Sequence, residues 1–97
     1  MDVQTILNAG IELAKTRGYR GVYKRHLAEV LGCSMGTINY HWGTMNELRA
    51  AIVRRAIAIG NRQIVTQAVA LGDSVISREN LSQGQREKLD KMRIRIS

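Results

Sequence analysis

The run Leu27 to Trp42, LAEVLGCSMGTINYHW, constrains this chain more than any other stretch. Leu27, Ala28, Val30 and Leu31 form a short apolar helical pattern that runs into Gly32. Two residues on, Ser34 is placed to cap a second helix, its hydroxyl accepting from the free amides of Met35 to Thr37. The chain has to reverse sharply at Gly32, where only glycine takes a left-handed conformation without cost. Ala28 is small where the second helix crosses the first, and Ile38 offers an apolar side chain to the crossing. The product is a helix, a tight turn and a helix, a unit that suits a DNA major groove.

A chain of 97 residues is one small domain with a modest core. It has no proline and no phenylalanine, and its apolar residues are mostly Leu, Ile, Val and Ala, which predicts an all-α fold. Fifteen Lys plus Arg against eight Asp plus Glu give a formal charge of +7. So basic a balance points to polyanions, nucleic acid first among them. The one cysteine, Cys33, has no internal disulfide partner, which indicates a reducing compartment. With no signal-peptide pattern and no bilayer-length apolar run, a cytoplasmic protein that does not enter the membrane is expected. His26, Cys33 and His41 are the only soft-metal ligands and match no zinc spacing. With no phosphate loop, catalytic triad or paired carboxylates, neither an enzyme nor a cofactor or metal is expected.

Asp2 can cap a first helix running to Arg17, with Val3, Leu7, Ile11 and Ala14 at helical spacing and Ile6 and Leu13 widening the stripe. Gly18 ends it, and Gly10 inside it suggests a close helix crossing. Tyr19 reads as a packing plug. The second helix spans about Tyr23 to Leu31, and its basic first turn, Lys24 and Arg25 included, suits a phosphate. The third, about Met35 to His41, is the candidate reader of bases. It presents Met35, Gly36, Thr37, Asn39, Tyr40 and His41, while Ile38 and Trp42 turn inward. Gly36 allows close backbone approach, Thr37 can reach a phosphate or a thymine methyl, and Asn39 can bind adenine bidentately. Thr44 and Glu47 have capping-box spacing at the start of a fourth helix.

The segment from about residue 17 to 52 resembles the DNA-binding domain of TetR-family transcriptional regulators. The residues that carry the likeness are Gly18-Tyr19, Leu27-Ala28-Glu29, Leu31-Gly32-Cys33-Ser34, Gly36-Thr37-Ile38-Asn39, Tyr40 to Trp42 and Asn46-Glu47-Leu48. The resemblance implies a helix-turn-helix that binds double-stranded DNA. By it, Tyr40 and His41 correspond to phosphate-contacting Tyr and His in exchanged order, and Thr44 offers its backbone to a phosphate. Met35 and Met45 stand where the family often carries Lys, so Met35 favours apolar contact with thymine methyls. The family's ligand-binding domain has no counterpart before Ser97. A regulator without a small-molecule inducer, of the size found in phages or mobile elements, is therefore expected.

The fourth helix is expected to run from Thr44 to about Leu71, roughly 40 Å. Its second half offers apolar residues with no evident partner in a short chain, which predicts a homodimer through Ile57, Ile64, Val65, Ala68 and Leu71. Ser82 can cap a last helix of about Gln85 to Met92. The alternation Met92 to Ile96 permits a helix or a strand, and the basic C-terminal flank reads either as a tail on DNA or as a solvated edge. The chain thus divides into a DNA-binding domain, residues 1–50, and a helical extension, residues 51–97. The function expected is a dimeric, sequence-specific repressor. The alternative is a protein-binding adaptor or inhibitor that keeps the scaffold without using it on DNA, an idea favoured by Met35 and Met45.

Overall fold

The structure is a computed structural model that describes residues 1–95. Six α-helices and one short 3-10 turn make up its regular elements, and the described residues contain no strand.

Helix α1, Val3–Arg17, begins at Asp2, whose carboxylate accepts from the Thr5 amide at 2.8 Å. That backbone hydrogen bond holds the Asp2 carboxyl below the usual carboxylate range. Ile6, Leu7, Ile11 and Ala14 are buried, as their spacing predicts, whereas Val3 stays exposed. A Cβ on Gly10 would lie 2.9 Å from Ile52 Cδ1, so α1 crosses the fourth helix closely enough that a side chain there would press on Ile52.

The 3-10 turn Tyr19–Gly21 leads into α2, Lys24–Leu31. Leu27 and Ala28 are buried, but Val30 lies on the surface. Gly32 then adopts φ 65° and ψ 32°, the left-handed conformation the turn requires. Helix α3, Met35–His41, starts at Ser34, whose hydroxyl accepts from the Thr37 amide at 3.3 Å. Ile38 and Trp42 are buried beneath it. These elements form the expected helix-turn-helix.

The long fourth helix is corrected. Helix α4 is Met45–Ile59, and a separate α5 is Arg62–Ala70. Gly60 takes φ 73°, and Asn61 accepts from the Ile64 amide at 3.2 Å. A left-handed glycine followed at once by a capping side chain stops one helix and starts another. The expected dimerisation stripe is corrected with it. The chain turns at Gly60, α5 packs on α4 and α1, and Ile57, Ile64, Val65 and Ala68 are fully buried in the chain's own core. Of the five residues expected at a subunit contact, only Leu71 is on the surface, 47% exposed. The extension has an internal partner, which the expectation of a straight helix had denied it.

The connection after α5 contributes the buried Val75 and Leu81. Helix α6, Gln83–Lys91, opens with a complete capping box between Ser82 and Gln85. Leu89 is buried, and Lys88 Nζ donates to the Ala58 carbonyl at 2.7 Å. Residues 83–91 are therefore a packed helix rather than a tail. Beyond it, the Ile94 amide donates to the Leu89 carbonyl at 3.0 Å, closing a turn. Of the alternating run Met92 to Ile96, the last residue lies outside the described residues. One continuous core extends from Ile6 to Leu89, so residues on both sides of position 50 share it. Among the described residues, no helix is long and apolar enough to cross a membrane.

Candidate nucleic-acid interface

With Ile38 and Trp42 turned into the core, α3 presents its other face to solvent. Met35, Gly36, Asn39 and Tyr40 are exposed, while Thr37 and His41 are half-buried. Tyr40 is 86% exposed, so its phenol is presented to whatever α3 meets. His41 lies edge-on to Tyr40, ring centres 5.1 Å apart, and tilted on Trp42 at 5.4 Å. This packing anchors His41 to the domain and leaves Tyr40 the more available of the pair. Thr37 Oγ1 lies 3.2 Å from Ser34 Oγ, so its hydroxyl belongs to the cap of α3 as much as to its outer face.

Lys24, in the first turn of α2, does not point into solvent. Its Nζ donates to Asn39 Oδ1 at 2.7 Å and to the Gly43 carbonyl at 3.2 Å. Arg25 beside it is exposed. The start of α4 departs from the expected capping box in one respect. Thr44 Oγ1 accepts from the Glu47 amide at 3.1 Å, as the spacing predicts. The Glu47 carboxylate, however, accepts from the Gly43 amide at 2.9 Å, one residue before the cap. The return arm thus fastens the turn between α3 and α4.

Two features of this face were not legible in the sequence. Tyr23 occupies the cap position of α2 but makes no side-chain capping bond. Its ring lies edge-on to His26, with centres 5.9 Å apart, and the Arg49 guanidinium sits 6.0 Å from its centroid. Arg49 in turn donates from Nη2 to the Arg20 carbonyl at 3.2 Å, and its Nε is buried without a partner. Arg49 is thereby drawn into the fold. Tyr23, Lys24, Arg25, Met35 and Met45 together surround an open hollow of about 420 Å³ where the first residues of α2, α3 and α4 meet. An aromatic residue standing where a capping Ser or Thr belongs was the one sequence signal for it.

The turn that leads into α2 is fastened to the far half of the chain. The buried Tyr19 donates its phenol to Asp73 Oδ2, and its amide donates to Gln67 Oε1 at 3.0 Å. Arg20 Nη2 donates to the Leu71 carbonyl at 3.4 Å, and the Val75 amide holds the other oxygen of Asp73 at 3.1 Å. Burial, and then the bond to Asp73, raise the Tyr19 phenol above its ordinary value. The position of the helix-turn-helix is therefore tied to the segment that follows α5.

The electrostatics are one-sided. Among the described residues, the one ion pair joins Lys15 to Glu12 at 3.0 Å, in a chain of formal charge +7. Carboxylates thus neutralise little of the basic surface, and the field is left to attract an external polyanion.

Residues 6–52 match the family model of bacterial regulatory proteins of the tetR family. The match runs from the first buried residue of α1, through the helix-turn-helix, to the residue of α4 that closes on Gly10. No curated protein and no solved structure matches the chain. Residues 6–52 thus form a helix-turn-helix domain of the kind found at the N-terminus of the tetR family of bacterial regulatory proteins.

Proposed function

We propose that this chain is a sequence-specific transcriptional regulator that binds double-stranded DNA in the cytoplasm as a homodimer and represses the genes it marks. The observation that carries this reading is the outward face of α3, held rigid by Ile38 and Trp42 below and flanked by uncompensated positive charge. In this reading α3 lies in a major groove, Gly36 lets the backbone approach the bases, and Met35, Thr37 and Asn39 meet base edges. Lys24, Arg25, Tyr40, His41 and the backbone at Thr44 supply the phosphate contacts.

The homodimer follows from the need to read two half-sites. With Ile57, Ile64, Val65 and Ala68 consumed by the core, Ile59 and Leu71 are the large apolar side chains that α4 and α5 leave exposed for a subunit contact.

Enrichment of binding sites from a random DNA pool tests the reading. A near-palindrome with half-sites about one helical turn apart, or a multiple of it, is expected. A pool that emerges as random as it entered would count against it. The second reading, a protein-binding module, draws on the apolar surface of Met35 and Met45 at the same face. It gains if the domain ignores DNA even at low salt.

A further inference from the structure

We propose that the hollow bounded by Tyr23, Lys24, Arg25, Met35 and Met45 is a thymine-reading site that receives the 5-methyl edge of a thymine in each half-site. The inference rests on the DNA-binding reading above. The hollow encloses about 420 Å³ and is open to solvent. Its walls are two thioethers, an aromatic ring and the hydrocarbon stems of two basic side chains, so it is an apolar depression on a chain of formal charge +7.

Base pairs show the major groove hydrogen-bond donors, acceptors and a single kind of apolar group, the C5 methyl of thymine. A thioether or phenyl wall has nothing to exchange with the amino group of cytosine or the acceptors of guanine, and gains by covering a methyl. Met35, the first residue of α3, stands at the end of the reader from which helix-turn-helix domains reach base edges. Methionine is flexible enough to close around a small protrusion. Charge selects this occupant over an apolar protein side chain. Two of the five walls end in cations, which suits a methyl flanked by phosphates on its own strand. Met45 acquires a role by the same geometry. It forgoes a charge at the start of α4 and supplies a wall of the reading site.

The test uses a duplex of the sequence enriched from a random pool, beside duplexes in which deoxyuridine replaces thymidine one position at a time. Only the methyl group differs. Uracil at the position facing the hollow is expected to weaken binding about fourfold, the effect of losing one buried methyl. Met35→Ala and Met45→Ala are expected to erase the difference between the two duplexes. Met35 is 45% exposed, so its replacement leaves the core intact, and the comparison on the unaltered protein stands whatever the variants do. Equal affinity for thymine and uracil duplexes at every position, with site selectivity kept, overturns the inference and leaves the regulator reading standing. Absence of selective binding to either duplex overturns the reading beneath it.

Discussion

Lys24 and Asn39 hold each other across the helix-turn-helix, Nζ to Oδ1 at 2.7 Å, although they stand fifteen residues apart. The side chain suited to a phosphate thereby occupies the carbonyl of the side chain suited to adenine. Bidentate reading of adenine requires an amide to offer both its NH₂ and its oxygen; the Asn39 oxygen has a second lone pair and Lys24 Nζ a third proton, so in the proposed reading each can keep the other while meeting adenine and a phosphate.

Two variants separate these roles. Lys24→Met should weaken binding to all sequences alike and lower the salt slope by about one. Asn39→Ala should leave the slope unchanged and cost about 1–3 kcal/mol at one base pair of the site. Affinity measured at several salt concentrations, on matched and single-mismatch duplexes, checks both. Exchange of the two effects would refute the assignment.

The fold-back of α5 makes a second prediction. Ile64→Ala removes a fully buried side chain and should destabilise the chain by about 2–5 kcal/mol in urea unfolding. Leu71→Gln, on the surface of the single chain, should leave the unfolding of the monomer within about 0.5 kcal/mol. A folded, undiminished monomer from Ile64→Ala would restore a subunit contact along α5.

What was legible in the sequence was local. Gly32, Ser34 and Ile38 carry turn, cap and core signals within seven residues, and the structure places all three in those roles. The break at Gly60 was readable only as a pair. A lone glycine passes for a tolerated helix interior, but glycine followed by Asn61 is a stop joined to a start. Missing that pair turned a core stripe into an expected subunit contact. The bonds of Tyr19 to Asp73 and of Lys24 to Asn39 have no periodic signature, because side chains far apart in the chain meet only after the helices pack. The hollow was hidden for the same reason. Tyr23, Met35 and Met45 belong to three elements, and no spacing relates them.

Gly10 supplies a third test. Alanine has the better helix propensity by about 1 kcal/mol. Its Cβ would nevertheless press on Ile52, which is fully buried and has little room to yield. Overpacking of this kind costs about 1–3 kcal/mol, so Gly10→Ala should lower stability on balance. A gain in stability would show that α4 shifts to accept the methyl.

The Tyr19 phenol gives a pH dependence. Its ionisation is raised in the folded chain, so the folded state keeps a proton that the unfolded state gives up above about pH 10. The contribution is complete at neutral pH and fades as pH climbs past the ordinary tyrosine value. Tyr19→Phe lacks this titration, so the stability difference between parent and variant should shrink between about pH 8 and about pH 11. Urea unfolding of both proteins across that range measures it, and a constant difference would contradict the raised phenol.

The most direct test of DNA reading is a comparison of affinities, across a range of salt, for the enriched duplex and for a scrambled one of equal length. A specific reader binds the enriched duplex about a thousandfold or more tightly, and both affinities fall steeply as salt rises. Equal affinities with the same steep fall would reduce the protein to a nonspecific cation. No binding to either at low salt would contradict the account outright and leave the exposed face of α3 to a protein partner.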